Sequence, residues 1–169
     1  MSKTVEIERK FLIEPFKFKE YLNSCDKYNK SFKTIIQFYP YIDDHMEVRI
    51  RLTDDLGYMF TKYFNNANLL SRREFVSVMD EDTCREYKKY IFEHNIKCIE
   101  KNRYDVFYKG HLFEVDFFAG DNEGLYLAEV EIESENEIVE LPEFIIKEVT
   151  GDTKYYNKNL YINPYKNWK

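Results

Sequence analysis

The chain has little cysteine, glycine or proline and no long apolar run, and each shortage argues against a class of protein. Its three cysteines, Cys25, Cys84 and Cys98, are scattered, odd in number and outside any CxxC or zinc-ligand spacing. That argues against a disulfide framework and against a cysteine zinc centre, and the thiols read as buried or incidental. The three histidines, His45, His94 and His111, pair with no serine or cysteine in a triad-like setting. Five glycines and four prolines among 169 residues leave no linker, repeat or low-complexity segment, so residues 1–169 read as one domain long enough for a real core. No apolar stretch reaches the length needed to span a bilayer, and neither end carries a signal peptide or lipidation motif. The expected location is cytoplasmic, with no membrane partner. A net charge of −6 argues against bulk attraction to nucleic acid, and no nucleic-acid partner is expected. The expected assembly is a monomer or homodimer.

What the chain does have is aromatic and charged side chains. Aromatics make up 18% and charged residues 33% of the sequence, with 15 Tyr and 14 Phe. Aromatic richness suits a sheet-dominated fold. The charges are patterned. In an extended strand, side chains alternate between faces, so in Val5–Lys10 the residues Glu6, Glu8 and Lys10 share a face, opposite Val5, Ile7 and Arg9. The same alternation puts Glu47, Arg49 and Arg51 together, with Val48, Ile50 and Leu52 opposite. It places Lys62 with Tyr58 and Phe60, and Arg72 and Glu74 with Val76 and Val78. It aligns Lys101 with Arg103 and Asp105, Glu114 with Asp116, and Glu129 with Glu131 and Glu133. Ordinary antiparallel sheets also alternate polar with apolar. Here, however, the polar faces carry like-sign clusters: Glu-x-Glu, Arg-x-Arg and Lys-x-Arg. Like charges two residues apart on a strand are costly unless a ligand of opposite sign compensates them. Acidic clusters suit a divalent cation such as Mg²⁺ or Mn²⁺, which prefers carboxylate oxygens. Basic clusters suit phosphate, which arginine can grip with two hydrogen bonds. A site holding both is what a metal-bound polyphosphate requires.

The remaining pattern is coarse. Strand signals cover Val5–Ile13 and Lys33–Tyr39, the latter ending at Pro40. Helical spacing covers Pro15–Ser24 and Asp80–Asn95, with acids near the start of the second. Lys109-Gly110 is a hairpin turn. Pro142 opens an expected helix over Leu141–Val149, and Thr153–Leu160 reads as a further helical turn.

The segment Glu6-Ile7-Glu8-Arg9-Lys10 resembles the ExExK signature of the CYTH, or triphosphate tunnel metalloenzyme, superfamily. The resemblance continues in order through Val48-Arg49-Ile50-Arg51, Thr61-Lys62, Arg72-Arg73-Glu74, Glu100-Lys101-Asn102-Arg103-Tyr104 and Glu114-Val115-Asp116-Phe117-Phe118. It ends with Gly124-Leu125-Tyr126-Leu127-Ala128-Glu129-Val130-Glu131 and Val149-Thr150-Gly151-Asp152-Thr153-Lys154-Tyr155-Tyr156-Asn157, so it spans nearly the whole chain. It implies a mainly β (α+β) fold: a closed antiparallel β-barrel tunnel of about eight strands with short helices packed outside. The charged faces would line the tunnel, inverting the usual apolar-inside rule.

The resemblance also implies metal-dependent hydrolysis of a triphosphate. Glu6, Glu8, Glu129 and Glu131 would hold Mg²⁺ or Mn²⁺, with Asp116 as a further ligand or a support. Lys10, Arg49, Arg51, Lys62 and Arg103 would cradle the phosphates, joined by Arg72 and Lys154. Lys101 occupies a position credited with orienting or activating water, which a lysine can do only if its neighbours depress its pKa. The chain departs from the family pattern at Val76 and Val78, where relatives carry further acids. Glu74 is left as the only inward acid of that strand and joins Lys101 as a catalytic candidate. The triphosphate itself is open at this level. Lys101-Asn102-Arg103 and the segment Thr150–Asn157 look like those of compact bacterial tripolyphosphatases, while class IV adenylate cyclases and thiamine or nucleoside triphosphatases share the triphosphate site. A non-catalytic polyphosphate- or nucleotide-binding module is the alternative from another class. Tyr39, Tyr41 and Tyr155 are the aromatics available to stack a purine.

Overall fold

The computed structural model describes residues 7–24, 31–54, 56–64 and 72–168, without the side chains of residues 64, 72 and 73. Its centre is one sheet of nine strands. In chain order these are β1 (Ile7–Ile13), β2 (Phe32–Ile42), β3 (Met46–Leu52), β4 (Gly57–Phe64), β5 (Arg72–Met79), β6 (Ile99–Tyr108), β7 (His111–Ala119), β8 (Tyr126–Ile132) and β9 (Ile145–Glu148). Their order across the sheet is β5-β4-β3-β2-β6-β7-β8-β1-β9, and the pairings are antiparallel. Three α-helices accompany them: α1 (Pro15–Ser24), α2 (Glu81–Glu93) and α3 (Asn157–Ile162). None of the described helices is long and apolar enough to cross a membrane.

Local chemistry explains most boundaries. Lys109 and Gly110 both take left-handed backbone angles, φ 48° and 90°, which is the two-residue hairpin turn joining β6 to β7. Asp80 accepts a hydrogen bond from the backbone N–H of Thr83 and caps α2. Pro40 does not end β2 as the sequence predicts. The strand continues to Ile42, and its register with β3 shifts between Phe38 and Tyr41, the kind of irregularity where a residue without an N–H is tolerated.

Two further expectations need correction. Leu141–Val149 is not a helix. Its apolar run Phe144-Ile145-Ile146 is the start of the short strand β9, with Ile145 paired to Ile13 and Glu148 to Phe11. Phe144 is buried among Phe11, Phe18 and Val139, so packing, not helical periodicity, sets this segment. Nor is the sheet closed into a barrel by hydrogen bonds. Among the described residues β5 pairs only with β4 and β9 only with β1. β9 has just four residues, and Glu74, Phe75, Val76, Ser77 and Val78 of β5 are exposed, as befits an edge strand with no neighbour beyond it.

The two faces of the sheet have opposite characters. On one, α1 covers Phe11, Ile13, Val106, Phe113, Val115, Ala128 and Val130. Its anchor is Phe18, fully buried and 5.0–5.4 Å from the rings of Phe144, Tyr104 and Phe117. On the same face α2 brings Cys84 and Ile91 against Phe38, Ile50 and Leu52. The other face carries the charges. At one end it too becomes apolar, where Tyr39, Ile99, Phe118, Leu125 and Leu127 pack against Tyr155 and Leu160 of the C-terminal segment. That segment lies across the end of the charged face, with Lys158 of α3 3.6 Å from Glu47 of β3.

Candidate functional site: a charged sheet face

Strand register brings the charged stripes together. Glu8 lies opposite Glu131 and Lys10 opposite Glu129 on β1 and β8. Glu129 lies opposite Glu114 on β7, and Asp116 opposite Arg103 on β6. Gln37 of β2 stands opposite Arg51 of β3, which in turn faces Tyr58 of β4, while Glu47 faces Lys62 and Lys62 faces Glu74 of β5. All these residues fall on the same face, as alternation requires.

On the β1–β8–β7–β6 side the charges are buried and mutually satisfied. Asp116, 1% exposed, accepts from Lys101 Nζ at 2.5 Å and from Arg103 Nε and Nη2 at 2.7 and 2.6 Å. Arg103 also donates to Glu114 and, at 3.2 Å, to Glu129, which pairs in addition with Lys10. Burial works against the charge on Arg103, but Asp116, Glu129 and Glu114 outweigh it and raise its pKa. Burial also opposes the charge on Glu129, and Lys10, Lys101 and Arg103 together hold its pKa down at about 2. Burial lowers the pKa of Lys101. Asp116 opposes that shift, and Arg103 and Arg51 reinforce it.

Across β2 the balance changes. Arg51 makes no ion pair among the described residues. Its Nε donates to Gln37 Oε1 at 3.2 Å, and its guanidinium lies 5.7 Å from the Phe60 ring. Burial lowers its pKa, with Arg49 and Arg103 adding to the effect. Arg49 stacks on Phe60 at 4.2 Å, reaches Glu74 only at 4.0 Å, and keeps a buried Nε without a hydrogen-bond partner. Lys62 is 3.2 Å from Glu74. On this side, therefore, the two arginines are less fully compensated by carboxylates than the cations of β1 and β6, among the described residues.

Most of the residues expected from the sequence thus share one face. Glu8 is exposed, and its pKa is raised, first by desolvation within the fold and then by Glu129 and Glu131, with Glu114 also contributing. Glu6 lies outside the described residues, as does the side chain of Arg72, whose backbone pairs with Phe64 at the start of β5. Among the described residues Lys154 makes no ion pair with this cluster. It is 3.6 Å from Asp152 and about equally close to the rings of Tyr155 and Trp168, at 4.9 and 5.2 Å. Among the described residues no three carboxylates, histidines or cysteines converge tightly enough to hold an ion. The donor chemistry still fits a hard divalent cation, since Glu8, Glu129 and Glu131 are crowded carboxylates and Glu8 shows their mutual repulsion. The sequence reading missed Gln37. It is wholly buried on the charged face, and a lone neutral amide among apolar neighbours gives no pattern to find.

No family model matches the chain. An inorganic triphosphatase from Acetivibrio thermocellus is 37% identical to it over 166 residues, covering 97% of each protein. The chain belongs to the CYTH superfamily of triphosphate tunnel metalloenzymes. The crystal structure of the inorganic triphosphatase NE1496 superposes on this CYTH chain with a TM-score of 0.66 at 27% identity, covering 96% of this chain and 97% of that one. A putative adenylate cyclase from Bacillus halodurans shares the CYTH fold at 19% identity, with a TM-score of 0.53 over 80% of this chain and 84% of that one.

Proposed function

We propose that the protein hydrolyses inorganic tripolyphosphate with the help of Mg²⁺ or Mn²⁺, releasing orthophosphate and leaving pyrophosphate. The observation that carries this reading is the pair Arg49 and Arg51, half-buried cations short of close carboxylate partners among the described residues, beside a crowded array of carboxylates. A relative 37% identical over nearly its whole length is an inorganic triphosphatase, which supports the same substrate.

In this reading Arg49, Arg51 and Lys62 bind phosphate oxygens, with Lys10, Arg103, Arg72 and Lys154 completing the cradle. Glu6, Glu8, Glu129 and Glu131 hold the divalent ion. Asp116, the most buried of these carboxylates and bonded to both Lys101 and Arg103, supports the site from behind. A divalent ion held there neutralises phosphate charge and makes its bound water more acidic. The chain's own share is positioning and charge neutralisation, the main requirements of phosphoryl transfer. Lys101, its pKa lowered by burial, holds the attacking water toward the terminal phosphorus. Glu74, between Lys62 and Arg49, is the acid on the far strand that can take up the released proton.

A cyclase would need a purine pocket as well. Tyr39 and Tyr155, two of the three aromatics considered for one, are buried in the apolar cluster under the C-terminal segment, and the exposed Tyr41 donates to Asp43. This favours hydrolysis, with tripolyphosphate cleaved faster than ATP. The test is to incubate the protein with each compound and Mg²⁺ or Mn²⁺ and resolve the products by anion exchange. Orthophosphate from tripolyphosphate is the expected result. Cyclic AMP from ATP, or binding of both compounds with no product, overturns the proposal.

A further inference from the structure

Arg51 has an unusual neighbour for a phosphate-binding arginine. The buried cations of this face, Lys10, Lys101 and Arg103, are held by carboxylates. Arg51 is held by an amide. Gln37 is 0% exposed and bonded at both ends, its Oε1 accepting from Arg51 Nε at 3.2 Å and its Nε2 donating to Tyr39 Oη at 2.8 Å. The two contacts fix the amide's orientation. Arginine has no acceptor, so only the oxygen of Gln37 can face Arg51, and the NH₂ group must then face an acceptor. Tyr39 supplies it. Burial raises the Tyr39 hydroxyl to about 12, so it stays protonated and neutral through the working range. The Tyr39 ring is itself wedged 5.0 Å from that of Tyr161 in α3.

We infer that Gln37, oriented by Tyr39, is a positioning residue that aims Arg51 at the substrate, and so is a determinant of tripolyphosphate affinity. The inference rests on the phosphate-binding role given to Arg51 above. Its physical basis is a division of the guanidinium. Gln37 uses the Nε–H, which leaves the Nη fork, the part able to grip a phosphate through two bonds, without an ion-pair partner among the described residues. A carboxylate at position 37 would orient Arg51 equally well but would also cancel the charge the substrate needs. A neutral amide orients without neutralising.

The test is steady-state kinetics with tripolyphosphate and Mg²⁺ for the wild type, Gln37→Leu, Tyr39→Phe and the double variant, with thermal melts of each. Gln37→Leu should raise KM about tenfold, the scale of one hydrogen bond to a charged group, with the larger part of the effect in KM and not kcat. Tyr39→Phe frees the amide to turn and should raise KM in the same direction by less. In the Gln37→Leu background Tyr39→Phe should add nothing to KM, because its effect runs through the amide. A purely structural role would instead lower melting temperatures and leave KM alone, or make the two KM effects multiply, and either result overturns the inference. If Gln37→Leu does not fold, Tyr39→Phe alone decides: an unchanged KM overturns the inference and a raised KM supports it. A wild type that neither binds nor cleaves tripolyphosphate sinks the reading of the whole site and this inference with it. A wild type that cleaves it, with Gln37→Leu unchanged, sinks this inference alone.

Discussion

Glu8 and Glu129 lie one strand apart on the same face, yet the fold treats their charges in opposite ways. The Glu129 pKa is depressed to about 2 by Lys10, Lys101 and Arg103 despite burial. Its stabilising contribution is therefore present above its ordinary value of 4.5 and is lost as pH falls toward about 2. Glu129→Gln removes one partner of a buried pair and should cost about 3 kcal/mol near pH 6. Urea midpoints measured across pH should show the gap to wild type closing in acid, and a gap independent of pH would refute the pairing. Glu8 runs the other way. Its folded pKa is raised, so its ionised form is a penalty that disappears only as pH falls through that raised value. Glu8→Gln should therefore raise the melting temperature of the metal-free protein at neutral pH while, if Glu8 is a metal ligand as proposed, reducing hydrolysis at least about tenfold. Calorimetry in EDTA beside phosphate release checks both, and a lower melting point with full activity would reject the assignment. These charged residues were legible in the sequence because like-sign pairs at strand spacing demand an explanation. Gln37 was not, because its role comes from an arginine on the next strand and a tyrosine two residues on. The attachment of Asp116 to Lys101 and Arg103 was hidden for the same reason, since only strand register brings them together.

At the scale of elements, the sequence's alternation was a good guide wherever a strand had two distinct faces. β1, β3, β6, β7 and β8 all sit where their stripes place them, and α1 spans the expected Pro15–Ser24. The reading failed where context outweighed period. β9 is too short to alternate, and the packing of Phe144 and Ile145 against β1 and α1 overrides the helical spacing of this segment. β2 passed through Pro40 because a bulge there needs no N–H. The division of labour between faces can be tested on α1. Phe18 fills an aromatic cage of Tyr104, Phe117 and Phe144 on the face away from the charges. Phe18→Ala should destabilise the fold by about 3–5 kcal/mol in urea titration. At a temperature where the variant remains folded, its KM for tripolyphosphate should match the wild type within about twofold, because α1 contributes nothing to the charged face. A large KM change at full folding would mean that the two faces are not independent.

For the molecule as a whole, closure was the feature least legible, because it depends on whether two edge strands meet and not on the pattern within any one strand. β5 and β9 do not pair, and the charged face is organised by ion pairs instead of by a closed ring of hydrogen bonds. That arrangement has a thermodynamic consequence. Lys10, Lys101 and Arg103 are engaged by Glu129, Asp116 and Glu114, so among the described residues of this face Arg51, which has no ion pair, and Arg49, 4.0 Å from Glu74, are the arginines least committed when a polyanion arrives. Each further cation the substrate recruits frees a carboxylate, and a freed carboxylate on a crowded face needs a cation of its own. Polyphosphate and divalent metal should therefore bind with positive coupling, each raising the affinity for the other by the same factor. Melting curves give the measurement, because a ligand that binds only the folded state raises the melting temperature according to its affinity. Tripolyphosphate in EDTA, or Mg²⁺ alone, should shift the transition little. The two together should shift it by more than the sum of the separate shifts, provided the readings are taken on a catalytically impaired variant such as Lys101→Met so that substrate persists. Additive shifts, or a full shift with tripolyphosphate in EDTA, would show that metal and phosphate do not share this face.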